Sequence, residues 1–259
     1  MAIQKTEAIV LKKFDFRDSS LIVTLFTRDF GKLKTVVKGV RKEGSGELVN
    51  FEVLNHLSIV FYEKAGTELH LLSESVIEDP MLSIRDNFKT FSFGCFLAEV
   101  ADAFYDVHEI SVKIFDALLE SLKNMTPDTL GYKALRFELA VLRERGLYPG
   151  ISACVRCRKN TETRWMWSPR QGGILCGACA IKDARVQEIS PELIAVLKAF
   201  HSGNPEGHDG KNNLWVKAEK MIREFIRMRA EHAMRTGEFL DSLDQFCARQ
   251  TQLKAAEPL

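Results

Sequence analysis

No apolar run in this 259-residue chain approaches the roughly 18–20 residues that a membrane-spanning helix needs. The first residues, Met1-Ala2-Ile3-Gln4-Lys5, lack the apolar core and cleavage site of a secretory leader, so a cytosolic location is expected. Excess charge of one sign is missing too. The net charge is +1, so any charged surface has to be found locally. Also absent are a Gly-x4-Gly-Lys-Ser/Thr phosphate loop, a His-Glu-x2-His zinc helix, a Gly-x-Ser-x-Gly elbow and a dinucleotide glycine fingerprint. The six histidines are scattered and none has metal-ligand spacing to another. These gaps argue against an ATP-driven motor and against the familiar hydrolases. With 46% hydrophobic and 27% charged residues, the composition excludes collagen, low-complexity disorder and coiled-coil rods.

Six cysteines in a chain expected to be cytosolic do not suggest a disulfide framework. Four of them fall as Cys154-x2-Cys157 and Cys176-x2-Cys179 with 18 residues between the pairs. Each Cys-x2-Cys turn can aim two thiolates at one point, and two such turns complete a tetrahedron around one structural zinc ion. Four thiolates leave no open position for water or substrate, so a catalytic metal is not expected. A thioredoxin-like redox pair or unrelated cysteines are the competing readings, but a redox Cys-x2-Cys normally comes once, in a βαβ setting, and here it comes twice in a short segment. Cys95 and Cys247 stand alone, and Cys95 in an apolar segment reads as a small buried hydrophobe. Between residues 154 and 185 seven Lys or Arg face two acids. Trp165 and Trp167 lie among them, either as base-stacking surfaces or as cover for a small core.

The first 80 residues read as five short strands, Glu7 to Phe16, Leu21 to Arg28, Leu33 to Val40, Phe51 to Tyr62 and Leu69 to Ile77. Five strands in so little chain favour a small closed barrel, which removes exposed edges. The stretch Gly39 to Glu47 reads as a mobile exposed loop. Helices follow. Asp79-Pro80 and Thr126-Pro127-Asp128 read as helix starts, and Phe88 to Phe104 as a buried helix. Ser190-Pro191 starts another helix, ending in a polar loop up to Asn213. A final helix carries the stripe Leu214, Ala218, Met221, Phe225 and Met228, with Lys217, Lys220, Arg223 and Arg227 largely off it. Core packing is the simpler use of that stripe.

Residues 1–42 hold ten Lys or Arg against four acids, which leaves the rest of the chain net acidic. A small barrel with such segregated charge is suited to tracking a phosphate backbone. The densest piece is Lys38-Gly39-Val40-Arg41-Lys42. The residues expected to bind DNA are Lys12, Lys13, Arg17, Lys34, Lys38, Arg41 and Lys42.

The stretches Thr6-Glu7-Ala8-Ile9-Val10-Leu11, Ser20 to Thr27, Gly31-Lys32 and Lys38 to Lys42 resemble the amino-terminal domain of the RecO family of bacterial DNA-repair and recombination-mediator proteins. The order of parts, barrel then helical domain with a four-cysteine insertion, is also similar. The resemblance implies an OB fold for residues 1–79, a helical domain in two parts (80–150 and 187–259), and a zinc-binding insertion at 151–186. The fold class is therefore α+β: an OB-fold-like β-barrel followed by a helical domain carrying a zinc ribbon. It further implies binding of single- and double-stranded DNA, annealing of complementary strands, and work with RecR to load RecA where single-strand-binding protein (SSB) is displaced. The family also engages the acidic, apolar tail of SSB. In this sequence Arg136, Leu139, Leu142 and Arg143 are candidates for that contact, with core packing of the leucines as the alternative. The expected function is non-enzymatic. Two other classes stay open: a protein-interaction scaffold without DNA binding, and a nucleic-acid enzyme with a cryptic acidic site.

Overall fold

The computed structural model describes residues 2–42, 46–64, 66–123, 125–183, 185–203 and 213–256, with side chains of the last helix followed to residue 245. Residues 43–45 of the expected mobile loop, the polar loop at 204–212 and the side chain of Cys247 lie outside this description.

Five strands close into a barrel in the order β1-β2-β3-β5-β4: β1 (Ala2–Phe16), β2 (Ser20–Thr27), β3 (Gly31–Val37), β4 (His56–Glu63) and β5 (Leu69–Asp79). Closure depends on the length of β1. Its first half pairs antiparallel with β4, from Ala2 opposite Glu63 to Ile9 opposite His56, and its second half pairs with β2. An irregularity in register between Val10 and Lys12 gives the bend that lets one strand serve two neighbours. The parallel pairing of β3 with β5 completes the ring.

The apolar run Ala8 to Leu11 does not alternate because both faces of β1 are covered. Ala8 and Val10 point into the barrel with Val23, Leu25, Ile59 and Phe61. Ile9 and Leu11 point outward into the helical core with Phe26. Burying each such side chain contributes roughly 1.5–3 kcal/mol.

Several boundaries differ: β3 stops at Val37 and not at Val40, and the helix expected at Thr126-Pro127-Asp128 begins only at Leu130. The start of the fourth expected strand is a 3-10 turn (Glu47–Phe51), which drops Phe51 into the barrel. The first strand begins at Ala2 instead of Glu7.

The helical part comprises α1 (Leu82–Arg85), α2 (Phe88–Phe104), α3 (Val112–Lys123), α4 (Leu130–Glu144), α6 (Pro191–Ser202), α7 (Asn213–Arg229) and α8 (Arg235–Ala256). The expected start at Asp79-Pro80 is not a helix cap. Asp79 ends β5 and accepts from the Met81 N–H, while Asn87 caps α2 by accepting from the Lys89 and Thr90 amides. Ser190 caps α6 as expected, accepting from Leu193. Between α4 and α6 a small sheet forms from β6 (Trp165–Ser168), β7 (Gly173–Cys176) and β8 (Gln187–Ile189), with a short helix α5 (Gly177–Ala180). Gly173 is required there, because a Cβ would collide with the Gly150 carbonyl that the chain passes.

The last helix is α8, not the Met–Phe helix α7. On α7, Ala218, Met221 and Phe225 enter the core together with Trp215, Ile222 and Ile226, whereas Met228 stays exposed. Arg223 breaks the expected polar face. It is fully buried between α7 and α8, bound to Glu219, Asp241 and Asp244. No helix among the described residues is long and apolar enough to cross a membrane.

Candidate nucleic-acid interface and metal centre

A groove of about 530 Å³ opens on the barrel between the β1–β2 turn and the loop leading into β5. Arg17 and Ser19 come from the turn, Lys38 and Lys42 from the chain just after β3, and Lys64 with Leu69 to Leu71 from the opposite wall. The parallel β3–β5 pairing brings these walls together, with Val36 opposite Leu71. Arg17 holds a left-handed backbone at φ 52° and lays its guanidinium 5.0 Å from the centroid of the Phe16 ring. Arg17, Lys38 and Lys42 are exposed, and Lys38, Lys42 and Lys64 make no ion pair among the described residues. Such cations keep their full attraction for phosphate oxygens, and Phe16 beneath Arg17 offers a π-face for a base. In the small OB-type barrel, this position between the first turn and the fourth-to-fifth loop is where oligonucleotides bind.

The four cysteines converge. Their sulfur atoms all lie within 4.8 Å of one another, and Cys157 Sγ is 3.7 Å from Cys176 Sγ. A disulfide requires about 2.0 Å, whereas sulfurs about 2.3 Å from a tetrahedral ion stand about 3.8 Å apart. The first turn is fixed by Cys154 N–H donating to the Lys159 carbonyl and Arg158 N–H to the Cys154 carbonyl, with Arg158 at φ 66°. The β6–β7 pairing places Cys176 opposite Trp165 and delivers the second turn. Burial opposes ionisation of Cys154, but the amides of Cys157, Cys176 and Arg156 outweigh it and hold this thiol down at about 6. Burial and the neighbouring sulfurs push Cys179 up to about 12. Four sulfurs at this mutual spacing suit a soft divalent cation, and these residues could hold one.

A third concavity, about 290 Å³, lies between α3, α4 and α6. Lys113, Tyr132, Arg136, Leu139, Arg143, Tyr148 and Phe200 line it.

The amino-terminal model of recombination protein O matches residues 1–81, and the carboxy-terminal model of the same protein matches residues 85–238. The chain belongs to the recombination protein O family. Among similar proteins, the DNA repair protein RecO of Heliobacterium modesticaldum is 26% identical, over 99% of this chain and 96% of its own. The DNA repair protein RecO of Bacillus velezensis is 26% identical over 93% of this chain and 95% of its own. That of Bacillus subtilis is 27% identical over 77% of each.

In this RecO family chain the seven basic residues expected at DNA divide into two groups. Arg17, Lys38 and Lys42 share the groove, and Arg41 adjoins it by donating to the Arg17 carbonyl and pairing with Asp15 at 3.2 Å. Lys12 is bound at 2.5 Å to Asp102 of α2, Lys13 at 2.7 Å to Glu52, and Lys34 at 3.0 Å to Glu68. Lys12 shares Asp102 with the nearly buried Lys32, so these two lysines tie the barrel to the helices. Lys64 joins the groove from a segment outside the basic first 42 residues, and sequence reasoning missed it. No local charge run marks it.

The tryptophans resolve as core. Trp167 is fully buried with its ring 5.7 Å from that of Phe225, and Trp165 is half-buried against the same cores. Of the four residues expected at a partner tail, Arg136, Leu139 and Arg143 line the α3–α4–α6 concavity, while Leu142 faces the core. Arg136 is paired with Glu120 at 2.7 Å, and Arg143 donates to the Phe200 carbonyl at 3.0 Å. Tyr132, Tyr148 and Lys113 complete that wall and had no sequence signal.

Proposed function

We propose that this chain is a non-enzymatic DNA-binding mediator of recombination and repair. It binds single- and double-stranded DNA through the barrel, anneals complementary strands, and acts with RecR to load RecA where SSB is displaced. The observation that carries this reading is the meeting of Arg17, Lys38, Lys42 and Lys64 across one groove of the barrel. Neutralising phosphates removes the mutual repulsion of two strands, so annealing needs no catalytic group. The relatives named for DNA repair, and the family named for recombination, agree with it.

In this reading the metal is zinc, held by Cys154, Cys157, Cys176 and Cys179. When bound it supplies a rigid cross-link between the two turns. The concavity of α3, α4 and α6 receives the acidic, apolar tail of SSB: Lys113, Arg136 and Arg143 offer positive charge beside Leu139, Tyr132 and Phe200. The protein works in the bacterial cytoplasm, on the nucleoid.

The test is a salt titration of fluorescent single-stranded DNA with the wild type and a Lys38→Glu, Lys42→Glu, Lys64→Glu variant. Loss of three phosphate contacts should lower the slope of log affinity against log salt by about 2, at about 0.7 per contact. An unchanged slope places the DNA elsewhere.

A further inference from the structure

The zinc-clipped turn carries a second set of unused cations. After Cys179 the chain runs Ala180-Ile181-Lys182-Asp183, with Arg185 beyond. Asp183 is the one acid among them. It accepts from the Ser168 hydroxyl at 2.7 Å and from the Arg185 amide at 3.2 Å, and Arg170 and Arg156 lie close enough to favour its charge further. Arg156, Arg170, Lys182 and Arg185 are all exposed; Arg156 and Arg170 lie near this carboxylate, and Lys182 and Arg185 flank it in the chain. The other two paired cations of the ribbon differ, since Lys159 is held by Glu162 and Arg164 by Glu188.

These cations do not serve the sulfurs. Arg156 donates to the Cys179 carbonyl at 3.2 Å, and no hydrogen bond among the described residues joins a cationic side chain to a cysteine sulfur. Ile181, next to Lys182 in the chain, has 87% of its surface exposed, more than any other large apolar side chain described. Folding gains nothing from an isoleucine left in water at the tip of a rigid turn. An exposed apolar side chain on a segment rich in exposed cations matches a nucleotide, whose phosphates take the charge while the base covers the apolar group. The opposite face of the ribbon is already engaged, with Trp167 and Ile174 in the helical core. Arg185 also borders the cleft lined by α7 and α8, while Arg156, Arg170, Ile181 and Lys182 are exposed on the ribbon.

We propose that Ile181 with Arg156, Arg170, Lys182 and Arg185 forms a second contact for single-stranded DNA, distinct from the barrel groove. This rests on the reading that the groove holds a first strand. With one strand on the barrel and another on the ribbon, a single chain presents two partners for pairing.

The test uses the full, zinc-loaded chain. An Arg170→Gln, Lys182→Gln, Arg185→Gln variant and an Ile181→Ala variant are compared with wild type in three measurements. These are zinc content by chelator release, affinity for one fluorescent oligonucleotide, and rate of pairing with its complement. Both variants should retain one zinc per chain. First-strand affinity should change less than about threefold, while pairing slows about tenfold in the triple variant and several-fold with Ile181→Ala. Unchanged pairing with zinc retained overturns the second contact. So does a loss of first-strand affinity equal to that of the Lys38→Glu, Lys42→Glu, Lys64→Glu variant, because the two regions would then be one site. Failure of the wild type to bind any single strand overturns the barrel reading instead, and the two failures are distinguishable. Should the triple variant lose zinc, Ile181→Ala decides, since it leaves every charge in place.

Discussion

Lys12 and Lys38 both belong to the basic amino-terminal segment, and their surroundings assign them different work. Lys12 is spent on Asp102 across the barrel–helix seam, while Lys38 faces the groove with no ion pair among the described residues. Replacing Lys12 with Met should lower stability by about 0.2–1 kcal/mol and leave the salt slope of DNA binding unchanged; urea unfolding beside a salt titration checks both. Cys157 is the most exposed of the four clustered cysteines, yet it stands 3.7 Å from Cys176. Cys157→Ser should therefore release zinc and make residues 150–186 more protease-sensitive, because the metal is then lost and only hydrogen bonds such as Val155 N–H to the Ile174 carbonyl and Arg156 to the Cys179 carbonyl, with a small apolar cluster, join the two turns. A chain that stays metal-free before mutation, or keeps its ribbon after it, contradicts the structural clip. His70 supplies a pH dependence. Burial, joined by the charge of His108 at 3.4 Å, holds its imidazole below the ordinary value. Below about pH 6.5 the unfolded chain takes up a proton that the folded form resists, so this contribution is intact above that pH and fades as acid is added. The urea midpoint of the wild type should fall between pH 7.5 and 5.5, and the fall should shrink in His70→Asn, which keeps an acceptor for the Lys64 amide.

Elements differ in what holds them. Helix α2 is packed by Phe93, Phe96, Leu97 and Val100, and its nearly unbroken apolar surface made it legible from sequence. Helix α8 is the opposite case. Its Asp241 and Asp244 bind Arg223, and Asp241 and Glu238 also bind Arg227, so charge attaches much of the helix to α7. A helix docked by ion pairs leaves no apolar stripe to read, which is why α7 looked like the end of the fold. Arg223 is fully buried, and its loss leaves buried Glu219 without its cation and Asp244 with Lys220 alone. Arg223→Met should cost about 3–5 kcal/mol, read by urea unfolding; a loss under 1 kcal/mol would mean that packing, not charge, docks α8. The barrel strands were legible by their β-branched runs, except for residues 2–6 of β1. That segment is mostly exposed, with only Thr6 buried, and its pairing with β4 makes it a strand. The 3-10 turn before β4 was hidden for the converse reason: apolar Phe51 and Leu54 read as strand although they are buried by a turn.

At the scale of the molecule, the legible features were those whose parts are close in sequence. Two Cys-x2-Cys turns announced a cluster of four sulfurs, and Lys38 to Lys42 announced a basic edge. The groove itself was only half visible, because Lys64 reaches it through the parallel β3–β5 pairing, which no local pattern encodes. Charge counting also did not show that Lys12, Lys13 and Lys34 are paired with acids at distances of 2.5–3.0 Å. The account that results is a barrel that holds a phosphate backbone on one face and docks onto helices with the other, with a metal-clipped ribbon presenting further cations. Its central claim is the groove. The most direct test is the salt dependence of single-stranded DNA affinity, compared between wild type and the Lys38→Glu, Lys42→Glu, Lys64→Glu variant. The account predicts a wild-type slope that flattens by about 2 on losing the three lysines, at about 0.7 per phosphate contact. An identical slope and affinity in both proteins would contradict it.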